Sequence, residues 1–356
     1  MNNILITDST LREGNNAADQ KITKKQIQEY CKEADNAGIP IIEVGHGYGL
    51  GGSSIQAGLA LLSDTEILET ARASITKGKL GVFLIPGIAK IKNNLKDALD
   101  IGADVVKVGS HCTEADVTPK HIEYARTAGK EVLGVLMMCH LASSDELLEE
   151  AKKMQAYGAQ GVVISDSAGA FLPFDVKERI QTLVAGLSIP VGFQAHNNLG
   201  LAIANSIVAV ENGATILDAT IRGIGAGVGN AQLEVLIAVL EKMNFITGVN
   251  LYKILDVADN ADNNLIPKFH TVSSNSIVSG LAGVFGGFSK QVDTISAEFK
   301  VDPREVYKTL GKRKILAGQE DIIYEIVLAF NNDLKKKFER KCRFVKSLDY
   351  DAYSKQ

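Results

Sequence analysis

The chain has 356 residues, 22% of them charged, and a formal net charge of −4. That length exceeds what one hydrophobic core usually organises, so a large domain with a smaller appendage is expected. With no basic excess, nothing draws the chain to nucleic acid or to an anionic membrane surface, which leaves small molecules and protein partners.

The four cysteines, Cys31, Cys112, Cys139 and Cys342, have no C-x-x-C spacing and form no recognisable disulfide framework. Met1 leads into an apolar strand without a basic leader, and no uninterrupted apolar stretch reaches membrane-spanning length. A soluble, cytoplasmic protein is expected.

In chain order, Ile4-Leu5-Ile6-Thr7 reads as a strand that runs into Asp8-Ser9-Thr10-Leu11-Arg12-Glu13-Gly14. Lys21 to Ala37 carries apolar residues at helical spacing, Gly38-Ile39-Pro40 stops it, and Ile41 to Val44 is the next strand. The pattern recurs with strands at Leu80 to Leu84, Val105 to Val108, Val132 to Met137, Val162 to Ile164, Val191 to Phe193 and Ile216 to Ala219. Between them lie helical segments such as Leu95 to Ile101, His121 to Ala128, Glu146 to Tyr157, Val176 to Leu183 and Ala202 to Glu211. Strand and helix alternating eight times predict an α/β fold, a (β/α)₈ TIM barrel, with a doubly wound open sheet as the alternative. Beyond Leu251 the alternation gives way to helices near Tyr252 to Asn260, Asn275 to Phe285, Lys290 to Phe299 and Pro303 to Leu310. The division expected is a barrel over 1–250 and a C-terminal helical domain over 251–356, the latter a partner or oligomer interface. The basic tail from Lys335 reads as a solvated helix face or a frayed end.

The strand ends are polar. Asp8, Arg12 and Glu13 follow the first strand, His46 the second, Ser110-His111 the fourth and His140 the fifth. Asp166-Ser167 follow the sixth, His196-Asn197-Asn198 the seventh, and Asp218 with Arg222 the eighth. A parallel barrel delivers its chemistry at this C-terminal mouth. A carboxylate with an imidazole and open positions suits a divalent metal, which can bind a 2-oxo acid and stabilise an enolate, with Arg12 placed to hold the oxyanion. The glycine-rich Gly223 to Asn230 follows the eighth strand, where a mouth loop is expected and a dinucleotide fingerprint is not.

Asp8 to Gly14, Glu43-Val44-Gly45-His46-Gly47, Ser110 to Asp116, Asp166 to Ala170, His196-Asn197-Asn198-Leu199 and Gly225-Ala226-Gly227 resemble the 4-hydroxy-2-oxovalerate aldolases. So do Gly311-Lys312-Arg313-Lys314 and Gly318 to Asp321 in the appendage. The resemblance implies a metal-dependent lyase that cleaves a 4-hydroxy-2-oxo acid to pyruvate and an aldehyde, using Mn²⁺ first and Mg²⁺, Zn²⁺ or Co²⁺ as alternatives. It also implies an acylating aldehyde dehydrogenase as partner, and an oligomer is expected. Carried over, Arg12 stabilises the enolate and Glu13 is the metal carboxylate. Ser167 is taken as substrate-binding.

Several positions depart from that family. Glu13 stands where the aldolases have aspartate, a feature shared with homocitrate synthases. The paired metal histidines read Gln194-Ala195-His196, which makes Gln194 a weaker ligand beside His196. The family's general-base histidine is Asn16, which cannot accept a proton near neutral pH and is left with substrate contact, so His46 is the expected replacement base. An active-site tyrosine of the appendage aligns with Leu281, also placed among the substrate-binding residues, with Phe285 its neighbour. A condensing enzyme acting on a 2-oxo acid and a metal-free scaffold are the alternative functions.

Overall fold

The computed structural model describes residues 3–266, 271–316 and 318–332. His270, Cys342 and the basic tail lie outside the described residues. Eight parallel strands close a barrel in chain order, with the last paired to the first. They are β1 (Leu5–Ser9), β2 (Ile41–Val44), β3 (Lys79–Leu84), β4 (Val105–His111), β5 (Glu131–Met137), β6 (Gly161–Asp166), β7 (Val191–Ala195) and β8 (Ile216–Ala219). The open sheet is thereby excluded.

Period-two alternation fills the barrel. Leu5, Ile41, Phe83, Val105, Leu133, Val135, Val163 and Ile216 pack as an apolar layer. Two residues further along their strands stand Thr7, Glu43, Lys107, Ser165 and Asp218, all buried. Apolar residues thus plug the floor, and a polar layer sits directly above it. Each strand's other face packs on the surrounding helices in one continuous core.

The sequence reads the stretch after β1 as a strand end; the structure makes it a helix, α1 (Thr10–Ala17), with no loop between. Gly14 sits inside this helix despite its cost to helix stability, because a Cβ there would lie 2.4 Å from Ile224 Cδ1 of the loop after β8. α2 (Lys24–Ala37) starts on a Thr23 capping box and ends on left-handed Gly38, the punctuation its sequence carries.

Leu251–Asn264 is helical as expected, but Ile254, Val257, Ala258 and Ala261 pack into the barrel's core and not into a second one. A separate core gathers Val284, Phe288, Val292, Ile295, Val306, Tyr307, Leu310, Ile323 and Val327. Its helices are Ser274–Ala282, Ser289–Phe299, Pro303–Arg313 and residues 321–332. This small domain rests on the barrel mouth. His140 Nε2–H donates to the Gly283 carbonyl at 2.9 Å, and Gly286 N–H donates to the Ser167 carbonyl at 3.3 Å.

Candidate active site at the barrel mouth

α1 is anchored before it presents anything. Asp8 accepts from Thr10 N–H at 2.9 Å and from the Tyr30 hydroxyl at 2.6 Å, while Thr10 Oγ1 accepts from Ile221 N–H at 2.8 Å. Burial pushes Asp8 up to about 6 against the pull of those donors. Asp8 is therefore an anchor for the turn that follows.

That turn offers Arg12 and Glu13, both buried. Arg12 Nε donates to Glu43 Oε1 at 2.6 Å, its Nη1 contacts Glu13 Oε1, and the guanidinium lies 4.8 Å from the centre of the Phe83 ring. Its Nη2 makes no hydrogen bond among the described residues. Glu43 Oε2 is in turn 2.8 Å from Lys107 Nζ, an ion pair off the hydrogen-bonding direction, and Lys107 also contacts Asp218. Burial would raise Glu43, yet Lys107 and Arg12 hold it down to about 2. For Asp218 burial wins over Lys107, and its carboxyl lies above the usual range.

Opposite this chain of charges stands a set of donors with unsatisfied atoms. His196 follows β7, and its Nδ1 lies 3.0 Å from the Asp166 carbonyl. A carbonyl can only accept, so Nδ1 carries the proton and Nε2 keeps its lone pair. Gln194, two residues earlier, accepts from Ser165 Oγ at 2.9 Å through Oε1, and its Nε2 is buried with no partner. Turning the carboxamide over lets Nε2 donate to Ser165 Oγ and presents Oε1 to the mouth. Asn230 pairs with His196 in an antiparallel bridge, and its Oδ1 is likewise buried without a partner.

Glu13 lies in the same place. Burial raises its carboxyl, but Arg12 and then His196 outweigh that and leave it below the usual range. A Cβ added to Gly225 would come 2.3 Å from Asn230 Nδ2 and 3.5 Å from Glu13 Cβ, so both flank one point. Among the described residues no three His, Cys, Asp or Glu side chains cluster to hold a metal. The set is one carboxylate, one imidazole and two amides. With two amides that carry buried, unpartnered atoms beside the carboxylate and the imidazole, the donor set fits a divalent cation.

The other expected residues divide. Asn16 Nδ2 donates to Glu13 Oε2 at 3.4 Å, and its Oδ1 accepts from Gln20 Nε2 at 2.9 Å, so it braces the carboxylate. Ser167 Oγ accepts from Met138 N–H at 3.0 Å and donates to Ser165 Oγ at 3.3 Å, which places it behind Gln194. Leu281 is 73% exposed, at the end of the helix whose Gly280 abuts Asn198 and Leu199.

The expectation for His46 as a base is corrected. Its Nε2–H donates to the Gly58 carbonyl at 3.0 Å and its Nδ1 accepts from Tyr48 N–H at 3.1 Å. No lone pair is left for a substrate proton, and His46 fastens the loop after β2. Tyr48 itself is pushed by burial, then by Glu320 and Glu13, to about 12 and keeps its proton near neutrality.

Arg222 is consumed by Glu234, Asp259 and Asp262, at 3.3, 2.7 and 2.8 Å, and ties the loop after β8 to the helix Leu251–Asn264. The glycine-rich loop closes on itself through Asn230 N–H to the Gly223 carbonyl, at 2.9 Å. Gly229 is obligatory there, with φ +82° and a Cβ that would meet that carbonyl oxygen at 1.7 Å. Sequence reasoning missed Lys107, Glu43 as a partner of Arg12, and Asn230 as a donor. The available signal was a lone charge at an inward, period-two position of an apolar strand.

Residues 3–260 match the HMGL-like family, and residues 270–332 match the DmpG-like communication domain. Barrel, mouth and appendage thus define an HMGL-like barrel enzyme fold with an added communication domain. The 4-hydroxy-2-oxovalerate aldolase of Pectobacterium atrosepticum is 52% identical over 94% of this chain and 97% of its own. That of Spirochaeta aurantia is 54% identical over 91% of this chain and 95% of its own. The chain belongs to the 4-hydroxy-2-oxovalerate aldolase family. Among solved structures, the N-terminal domain of a putative aldolase from Bacteroides vulgatus superposes with TM-score 0.70 at 24% identity, over 83% of this chain and 97% of that one. The carboxyl transferase domain of Rhizobium etli pyruvate carboxylase with pyruvate gives TM-score 0.77 at 16% identity, over 93% and 61%. These two likenesses concern the fold alone.

Proposed function

We propose that this protein is a metal-dependent lyase that cleaves a 4-hydroxy-2-oxo acid to pyruvate and an aldehyde. The observation that carries the reading is the orphaned Gln194 and Asn230 amides facing Glu13 and His196, with the free edge of Arg12 alongside. Glu13, His196, Gln194 and Asn230 would hold the divalent cation, Mn²⁺ by preference, which supplies Lewis acidity to the carboxylate and ketone oxygens of a 2-oxo acid.

The chain's own residues do the rest. The C3–C4 bond breaks, its electron pair moves into the enolate, and the C4 hydroxyl loses its proton as the aldehyde forms. Arg12 Nη2 donates to the oxygen on which charge develops, while Glu43 and Phe83 keep the guanidinium from swinging away. Ser165 and Ser167 set the rotamer of Gln194 from behind. Neither Asn16 nor His46 can take the hydroxyl proton, so it passes to solvent at the mouth, and the enolate carbon is reprotonated from solvent. A positioned base usually contributes about 10²- to 10⁴-fold, so turnover is expected to be slow for this class.

The communication domain over the mouth and the aldehyde product support an acylating aldehyde dehydrogenase as partner. Among the described residues no helix is long and apolar enough to cross a membrane, and Cys31, Cys112 and Cys139 are free and buried, which supports a cytoplasmic location. The test is pyruvate release from 4-hydroxy-2-oxovalerate with added Mn²⁺. A wild-type rate no better than that of Arg12→Ala sinks the reading.

A further inference from the structure

The Arg12 contacts leave one question of geometry. A guanidinium beside a carboxylate normally closes a two-bond fork on it. Here Arg12 gives Glu43 only Nε, at 2.6 Å, and turns its other edge to Glu13 and the mouth. The second oxygen of Glu43 accepts no hydrogen bond and lies 2.8 Å from Lys107 Nζ as an ion pair. Lys107 rises from the middle of β4, is 1% exposed, and holds Asp218 of β8 on its far side. Charges therefore alternate across the barrel as Asp218, Lys107, Glu43, Arg12 and Glu13, crossing from β8 through β4 and β2 to α1.

We infer that Lys107 is a positioning residue for catalysis: by ion-pairing with the second oxygen of Glu43 it draws that oxygen away from a two-bond fork with Arg12 and keeps the Nη2 edge open to the substrate oxyanion. The inference rests on Arg12 being the oxyanion donor, as proposed above. Lys107 touches neither substrate nor cation donors; it acts through Glu43. Asp218 in turn holds the lysine from the opposite wall, so the ammonium is fixed between two carboxylates and cannot drift toward the mouth.

Lysine to methionine alone would strand two buried carboxylates and risk failure to fold. The informative variant is the charge-balanced pair K107M/D218N, with K107R as the conservative rescue and E43Q added as the relief mutation. Oxalate, a planar mimic of the pyruvate enolate, is titrated calorimetrically into the Mn²⁺-loaded proteins, and kcat and KM are measured beside it. K107M/D218N is expected to bind oxalate about 10- to 100-fold more weakly, the worth of one charge-assisted hydrogen bond. Adding E43Q removes the carboxylate that captures Arg12 and is expected to restore affinity, while K107R, whose fork can bridge both acids, returns it to within about threefold.

A crystal structure of metal-free K107M/D218N gives a readout independent of turnover: both Nε and Nη2 of Arg12 on Glu43. Wild-type oxalate affinity in K107M/D218N, no recovery with E43Q, or an Arg12 that stays singly bonded to Glu43 overturns the inference. If instead the wild-type protein cleaves no 4-hydroxy-2-oxo acid, the functional reading falls, and the position of Arg12 in the variant still decides the inference.

Discussion

Two sides of one mouth are built on opposite rules. On the β2–β4–β8 side every charge meets its opposite, Arg12 on Glu43, Glu43 on Lys107, Lys107 on Asp218, although Glu43 Oε2 and Asp218 Oδ1 accept no hydrogen bond. Around His196, at the end of β7 and the loop after β8 that bridges to it, neutral amide atoms are left unpaired: Gln194 Nε2, Asn198 Oδ1 and Asn230 Oδ1 are buried without a partner. Burying an unpaired polar group costs about 1–3 kcal/mol, so a native fold that keeps several together is holding a place for something. The ion-paired side is a fixed electrostatic wall, and the side of neutral, unpaired amides is shaped as a socket. In the proposed reading the cation belongs to the socket and the oxyanion donor to the wall.

The contrast breaks most severely at Arg12, which borders both sides. Arg12→Ala is expected to lower kcat by about 10³-fold, the usual worth of an oxyanion donor, with pyruvate release as the assay. Installing the absent base should move the rate the other way. Asn16→His is expected to raise kcat by about 10²-fold and to give the rate a pH dependence near the imidazole range, provided the ring is placed where the carboxamide now lies. A flat pH profile with unchanged kcat would mean that proton transfer to solvent does not limit turnover.

The socket is sharpened by Gln194→His. A second imidazole should tighten metal binding by about 10- to 100-fold and shift preference toward Zn²⁺, measurable by competition with a chelating dye. The two residues proposed as its charged donors also titrate. His196 is depressed mainly by burial, and Glu13 is depressed by Arg12 and His196, so both are ready to bind a cation near neutrality. Cation affinity should then fall on acidification as protons compete for the imidazole.

The smallest effect concerns the anchor. Asp8 lies at about 6 in the fold against an ordinary 3.8, a raised carboxyl, so its contribution favours the fold below about 4 and is lost as the pH rises through 6. Asp8→Asn should flatten the stability profile between those values, by up to about 3 kcal/mol at neutral pH from a two-unit shift. Glu43 runs the opposite way: held down to about 2, it stabilises above its ordinary 4.5, and that contribution is lost as the pH falls toward 2. Urea denaturation across pH 3 to 7 separates the two signs.

The barrel was legible because alternation of apolar strand and amphipathic helix is a long-range pattern, and Gly38, Gly102 and Gly158 punctuate it at left-handed φ. The first and seventh strand ends were legible as chemistry because polar residues follow apolar runs. Lys107 and Glu43 were not, because a single charge within Val105-Val106-Lys107-Val108 or Ile41-Ile42-Glu43-Val44 has no meaning until the facing strand is known. His46 misled for the converse reason. It stands at a strand end, but only the fold reveals that Gly58, twelve residues on, claims its proton. Helix α1 was hidden by Gly14, whose presence is set by Ile224, far away in the chain.

That Gly14–Ile224 contact carries a consequence for biosynthesis. Glu13 leaves the ribosome early, whereas His196, Ile224 and Asn230 emerge more than 180 residues later. β1 gains its β8 neighbour only when the ring closes, so a nascent chain lacking its last two strands has no binding place for a cation and no seat for the first helix. Contacts of such sequence separation form late in folding. The mouth therefore comes into being only after the last strand docks, and, if the proposed cation binds there, its retention would report a completed barrel.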